Sequence, residues 1–507
     1  MLRFTLQKTA LHCALCLSIA LQGCSTARGI DPLGHMLDGD GLARGEAIAL
    51  AAKEAAWPQA RWWRVYGDEQ LDRWIDMATQ ASPSLAIAAA RLRQAKALAG
   101  IAESAESLQI NGDAGVRRRQ WPDDPFYGPG ALSGSQTWDN NLLLSGSYPL
   151  DLWGREKNVS EQFLDLAHMT AARQRMAQLD LQGAVVHVYI QLALHYGERD
   201  VLQATLSQQR QIHELAVRRR DGGIGTDLET TRTQTPIADT RRRIDLLDEA
   251  IALDGNQLAA LAGNGPGAST GLRRPDLALH QALALPSTLP AQLLGHRPDV
   301  VASRWNVAAQ ARGVDVAHAD FYPNVNLAGS LGYTASGGNV LAFLGANKLN
   351  YSVGPALSLP VFDGGRLRSA LGQATAGYDE AVARYNQTLI LALREISDQL
   401  IRRSAVDRQR QLIVESVDSA RRTFGLALTA YQRGLTDYLS VLDAQTQLLD
   451  QYRIERRNQA ASLDAHASLM IALGGGAVQA DVPAEDQTLP AQPPALFKAL
   501  DSLVNPR

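Results

Sequence analysis

Tyr148-Pro149-Leu150-Asp151-Leu152-Trp153-Gly154-Arg155 and Leu359-Pro360-Val361-Phe362-Asp363-Gly364-Gly365-Arg366 are two versions of one phrase, and each introduces a long run without proline. The offset is 211 residues, from Pro149 to Pro360, Gly154 to Gly365 and Arg155 to Arg366. It persists at Gly223 and Gly434, Leu228 and Leu439, Gln234 and Gln445, Thr235 and Thr446, and Gly263 and Gly474. A constant offset held this long without insertion marks an internal duplication. Its unit is a strand, a tight glycine turn and a very long helix.

Downstream of each phrase, 155–222 and 366–433 read as helices of 68 residues, roughly 100 Å at 1.5 Å per residue. Each ends at a glycine turn, Asp221-Gly222-Gly223 or Arg433-Gly434, and helix resumes over 226–262 and 437–473. The return helices are shorter than the arms. A second short helix stacked end to end on each makes up the missing length, and 84–107 is such a helix. Its face of Leu85, Ala88, Ala89, Leu92, Ala95 and Ala99 is a narrow stripe of small residues suited to close packing.

Upstream of each phrase the period is two. Leu108, Ile110, Gly112, Ala114 and Val116 alternate with polar residues or glycine, and Leu142, Leu144, Gly146 and Tyr148 alternate with Asn141, Leu143, Ser145 and Ser147. In the second repeat Val325, Leu327, Gly329, Leu331 and Tyr333, then Leu349, Tyr351, Val353, Leu357 and Leu359, repeat the pattern. Strands are expected at about 108–119, 138–149, 323–334 and 349–360, long enough to cross a bilayer when tilted. Alternation also fits any half-buried sheet. Four strands leave two open edges, which lipid does not tolerate, so a membrane sheet of this kind requires identical chains to close it.

Composition is near charge balance, at −3, and indicates neither a nucleic-acid patch nor a disordered acidic chain. The apolar run Leu11 to Leu21 behind Arg3 and Lys8 reads as a signal peptide over 1–23, too short to span. It ends in Leu21-Gln22-Gly23-Cys24, which resembles a lipobox, with Cys24 the lipidated residue and Ser25 consistent with outer-membrane sorting. No cysteine follows Cys24, so neither disulfides nor cysteine metal sites are expected. The remaining divisions are an anchored segment 24–60, a first repeat 61–263, an inter-repeat segment 264–290, a second repeat 291–474 and a tail 475–507.

Trp62-Trp63-Arg64-Val65-Tyr66-Gly67-Asp68, Leu150-Asp151-Leu152-Trp153-Gly154-Arg155, His296-Arg297-Pro298-Asp299-Val300, Val361-Phe362-Asp363-Gly364-Gly365 and Leu442-Asp443-Ala444-Gln445 together resemble the outer membrane factor (TolC-like) family of tripartite exporters, in its lipoprotein branch. The resemblance spans nearly the whole mature chain. It implies a mainly α protein with membrane β, built from duplicated β-β-α-α units. Three copies would form a 12-stranded outer-membrane β-barrel continued by a 12-helix periplasmic α-barrel. The implied function is an exit duct for small amphiphilic or toxic compounds, docked to a periplasmic adaptor and an inner-membrane pump of the RND class. The alternatives are the exit duct of a type I protein secretion system and a periplasmic scaffold lipoprotein without a pore.

The family also assigns sites. Leu439 and Asp443, one turn apart on one helix face, match its periplasmic gate, and three copies of Asp443 would form a carboxylate ring attracting cations. Tyr431 and Glu229 match the polar clasp between hairpins, while Thr436 stands where some members carry arginine. Gly223 and Gly434 are turn residues and the implied adaptor contact. Pro149 and Pro360 are expected to end the strand ladder, and Gly154 and Gly365 to permit the turn into helix. Gly223-Ile224-Gly225 lacks a preceding strand and a phosphate-loop lysine, so it is a turn. His187 and His195 have no acidic neighbour at metal spacing, and Arg218 to Arg220 and Arg241 to Arg243 read as solvated helix faces. No catalytic residue, metal, cofactor or nucleic-acid partner is expected.

Overall fold

The computed structural model describes residues 27–37, 58–124, 126, 132–278, 296–336, 340–341 and 344–476. The leader, Cys24 and the tail beyond 476 lie outside the described residues. Two short helices come first, α1 (Glu69–Ala81) and α2 (Pro83–Ala105), and lead into β1 (Gln109–Gln120) and β2 (Gln136–Leu150). The 67-residue α3 (Arg155–Asp221) and its return helix α4 (Asp227–Leu261) complete the first unit. The second unit is α5 (Pro298–Ala319), β3 (Asn324–Ser336), β4 (Leu349–Ser358), the 67-residue α6 (Arg366–Gln432) and α7 (Tyr438–Ala472).

Chain punctuation sets these limits. Asp68 caps α1 by accepting from Gln70 N, and Ser82 followed by Pro83 at the first helical position separates α1 from α2. Gly154 and Gly365 stand before the long helices at φ 71° and 90°, in the left-handed region where a side chain is strained.

Four columns result. The sheet is antiparallel in the order β1-β2-β3-β4. Helices pack in the same lateral order: α2 and α4 on one side of α3, α5 and α7 on its other side, and α6 beyond them. Each long helix therefore stands beside two short ones laid end to end. The joints are duplicated too. Gly263 closes α4 at φ 72°, and a methyl group there would fall 2.4 Å from the carbonyl oxygen of Ala81. Gly474 closes α7 at φ 89°, and a methyl group would fall 2.4 Å from that of His296.

A core gathers around these joints. Trp62, Tyr66, Leu71, Trp74 and Ile75 pack with Val185, Tyr189, Leu192, Leu258, Leu469 and Leu473. Arg297 ties the second joint, donating to both oxygens of Asp299, to Glu395 Oε2 at 2.9 Å and to the Ala472 carbonyl at 2.8 Å. Tyr66 donates its hydroxyl to the Leu463 carbonyl, which leaves its oxygen to accept from His466 Nδ1 at 3.0 Å. Burial and the Arg403 charge hold His466 down to a pKa of about 4. The unfolded chain therefore binds the extra proton first, and stability falls as pH drops from about 6.5 towards 4. We expect wild type to lose up to about 3 kcal/mol across that window and His466→Gln to lose little. Unfolding midpoints at pH 7 and pH 4.5 check this, and equal losses in both proteins would remove His466 from the account.

Register fixes the two faces of the sheet. Ile110, Gly146, Gly329 and Val353 form one row across it, and Gly112, Leu144, Leu331 and Tyr351 the next. The whole apolar set of the sequence shares this face, and the opposite face carries Asn111, Asp113, Asn141, Ser145, Ser330, Asn350 and Ser352. Among the described residues no helix covers the apolar face: Tyr351, Val353 and Leu357 are 78%, 75% and 70% exposed. Among the described residues, no helix is long and apolar enough to cross a membrane.

One expectation needs correction. Pro149 does not end its ladder: β2 runs on to Leu150, with Pro149 opposite Asn326 of β3. β1 begins at Gln109 opposite Ser147, so that side of β2 needs no donor at Pro149. Pro360 does lie beyond its strand, which ends at Ser358. The described part of the anchored segment, residues 27–37, is docked on the second unit. Leu33 and Gly34 donate their N–H groups to Asp379 Oδ1 at 2.9 and 2.7 Å, and Leu37 donates to Asn386 Oδ1 at 2.8 Å. Met36 packs with the Val382 and Tyr385 cluster, fixing the segment along α6.

Candidate functional site

The far ends of the two hairpins carry the candidate gate. At the first tip Gly223 sits at φ 76°, and Ile224 N and Gly225 N both donate to the Arg219 carbonyl at 2.9 Å. Gly225 is also obligatory, since a methyl group there would lie 2.7 Å from Arg220 N. Thr226 then caps α4 by accepting from Glu229 N. The second tip repeats the geometry: Gly434 at φ 72°, Leu435 N donating to the Ala430 carbonyl at 2.9 Å, and Asp437 capping α7 through Ser440 N. The 211-residue offset makes Ile224 and Leu435 equivalents, and each points an apolar side chain outward, 73% and 76% exposed.

α7 presents Leu439 and Asp443 on one outward face with Ser440, Thr446 and Gln447, while Tyr438, Val441, Ala444 and Leu448 turn inward. Leu439 is 48% exposed, and Asp443 accepts only a long bond, 3.4 Å, from Gln447 Nε2 among its described contacts. A carboxylate so placed keeps its charge available to whatever faces α7.

Behind this face the hairpins are joined mainly by apolar packing. Ile212 of α3 meets Phe424, Tyr431, Tyr438, Val441, Ala444 and Leu448 of the second hairpin. The Tyr431 hydroxyl and Glu229 Oε2 are buried with no hydrogen-bond partner, so the polar clasp expected between them is not formed as a bond. Burial, and after it the nearby charge of Glu229, pushes the Tyr431 hydroxyl pKa up. The link that does form was missed from the sequence. Arg219 lies 4.9 Å from the Tyr431 ring centroid and donates Nη1 to the Tyr431 carbonyl at 3.1 Å. Only its place in the Arg218–Arg220 run, three residues before the turn, could have signalled it. We expect Arg219→Gln to loosen the tip by about 1 kcal/mol and to raise resting conductance severalfold, with assembly unchanged. Unaltered conductance would make Arg219 a surface residue.

At the opposite end the sheet joins the helices through specific bonds. Trp153 Nε1 donates to the Pro323 carbonyl at 2.8 Å and its ring stacks on Tyr322 at 4.7 Å. Arg155 pairs with Asp320 at 2.7 Å and Glu156 at 2.6 Å. Asp363 accepts from Gly365 N and Leu367 N, which holds its carboxyl below the usual range. His187 and His195 are both engaged, with Asp464 of α7 at 2.5 Å and Asp254 of α4 at 2.7 Å. Those acids lie too far off in the chain for a spacing argument to find. Among the described residues no group of three His, Cys, Asp or Glu side chains could hold a metal ion.

The sequence profile described as outer membrane efflux protein matches residues 74–264 and 289–475, one stretch in each half. The chain is 46% identical over 363 residues to the fusaric acid resistance protein FusA of Burkholderia cepacia, spanning 72% of this chain and 68% of that one. It is 31% identical to the pyoverdine export outer membrane protein OpmQ of Pseudomonas putida, over 93% of this chain and 98% of that one. Among solved structures the outer-membrane channel OprN superposes with a TM-score of 0.79 at 27% identity, covering 88% of this chain and 99% of that one.

Proposed function

This chain belongs to the outer membrane efflux protein family, and from that premise we propose that three copies close one pore spanning the outer membrane and the periplasm. It is an outer-membrane efflux channel. The observation that carries the trimer is the four-stranded sheet with its apolar face uncovered and both edges open. Three such sheets supply the 12 strands of a closed barrel, and closure pairs every edge that lipid would otherwise leave unsatisfied. Below it, 67-residue helices extend the wall by roughly 100 Å. Light scattering of the protein in detergent should give three copies per particle, and a monomeric mass would sink the closed barrel.

In this reading the exposed Ile224 and Leu435 are the surfaces a periplasmic adaptor covers, beside Gly223 and Gly434, with an inner-membrane RND-type pump beyond. The duct itself supplies no energy. Leu439 and Asp443 narrow its entrance. The cargo is a small amphiphilic compound; two relatives are named for fusaric acid resistance and for pyoverdine export.

The docked N-terminal segment supports the lipid anchor. Arg28 accepts through its carbonyl from Arg368, close to the sheet–helix junction, and the chain then runs along α6 towards Asn386. Cys24 precedes Arg28 by four residues, a maximum reach of about 14 Å from that carbonyl, so an acyl chain on Cys24 can reach the membrane. We expect Cys24→Ser to abolish acyl labelling while trimers still insert through their strands. Loss of all membrane-associated trimer would show that the anchor, and not the barrel, drives insertion.

A further inference from the structure

Three consecutive arginines close the far end of β1, and register shows that they do not face the same medium. Arg118 stands opposite Trp138 and continues the apolar row of Ile110, Gly112, Ala114 and Val116. Arg117 and Arg119 lie on the other face, with Asp139 and Asn141. Arg119 is committed: it pairs with Asp139 at 3.2 Å and lies 4.9 Å from the Trp121 ring. Arg118 has no carboxylate partner among the described residues. Its guanidinium lies 5.6 Å from the Trp138 ring and donates to the neutral side chain of Gln136.

An arginine on the membrane side of a barrel, uncompensated and beside a tryptophan, is placed for an anion at the lipid surface. Tryptophan marks the interface, and the planar guanidinium fork matches phosphate. The helices occupy the periplasmic end of the columns, so Arg118, two residues from the end of β1, is at the outer rim.

We propose that Arg118 and Trp138 form, on the membrane-facing outer rim of each protomer, a site for the phosphorylated headgroup of an outer-leaflet glycolipid. The site rests on the trimeric barrel proposed above, because Arg118 meets lipid only where the apolar row does. The phosphate takes the arginine fork, and the acyl chains lie along the apolar row.

The test titrates bis-phosphorylated lipid A, and the same lipid with both phosphates removed, into detergent-solubilised protein of measured mass, reading bound lipid by native mass spectrometry. The phosphorylated lipid should bind the trimer, and Arg118→Gln should weaken it about tenfold or more. Arg118→Lys, which keeps the charge but loses the fork, should weaken it less. Arg117→Gln removes the same charge one residue away on the lumen face and should change nothing. The proposal is overturned if Arg117→Gln and Arg118→Gln weaken binding equally, or if the dephosphorylated lipid binds as tightly. Displacement by millimolar inorganic phosphate also overturns it, since the site would then take a free anion. A monomeric mass overturns the trimer itself and is seen before any lipid is added.

Discussion

Gly474→Ala, at the helix joint of the second unit, should be far more damaging than the same methyl group added at that unit's hairpin turn. Two effects add. Gly474 has φ 89°, so a side chain costs about 1–2 kcal/mol in backbone strain. The new methyl group would also meet the His296 carbonyl oxygen at 2.4 Å and the Arg297 Cα at 3.3 Å, both backbone atoms of the joint that Arg297 pins. Overpacking of that kind costs typically another ~1–3 kcal/mol, giving about 3 kcal/mol in total. Gly434→Ala is the matched comparison. Its φ is 72°, but nothing lies within 4 Å of where the methyl group would go. Only the backbone part applies, roughly 1 kcal/mol. Thermal dissociation of the detergent-solubilised assembly should therefore fall much further for Gly474→Ala than for Gly434→Ala. Equal shifts would mean that α5 and α7 do not meet end to end as described.

Asp443→Ala should have the largest effect on conduction with the least on folding. The side chain is exposed on the face of α7 that turns away from the hairpin core, and its one described contact, with Gln447, is long. Removing it breaks no packing. In a closed trimer the three carboxylates concentrate cations at the narrow end, and loss of a focused charge ring should lower cation preference about tenfold. Resting leak should rise as well. Asp450→Ala is the control: it lies farther up the same helix and already sits 3.9 Å from Arg453. If both variants lower selectivity alike, Asp443 is not at the constriction.

The duplication made the frame legible before any coordinates. The 211-residue offset set the repeat, and glycines and prolines placed both long helices to within a residue, because such punctuation is local chemistry. The packing face of α2 was also readable: Leu85, Ala88, Ala89, Leu92, Ala95 and Ala99 are the half-buried positions between Leu85 and Ala99. What escaped depended on partners far away in sequence. Arg219 meets Tyr431 across 212 residues, and Gly34 meets Asp379 across 345. No periodicity reports such pairs. Ile224 and Leu435 were different: the offset aligned them, but two apolar residues in a glycine turn draw no attention until their exposure is known. Pro149 misled because a proline rule was applied without knowing where the neighbouring strand begins.

The central claim is that identical copies of this chain close a pore through the membrane. Conductance of the purified, detergent-resistant assembly in a planar lipid bilayer, with Arg219→Gln and Asp443→Ala measured beside wild type, tests it most directly. A trimeric particle that conducts ions, with both tip variants leaking more than wild type, is the predicted result. A monomer, or a trimer that stays silent in wild type and in both tip variants, would contradict it.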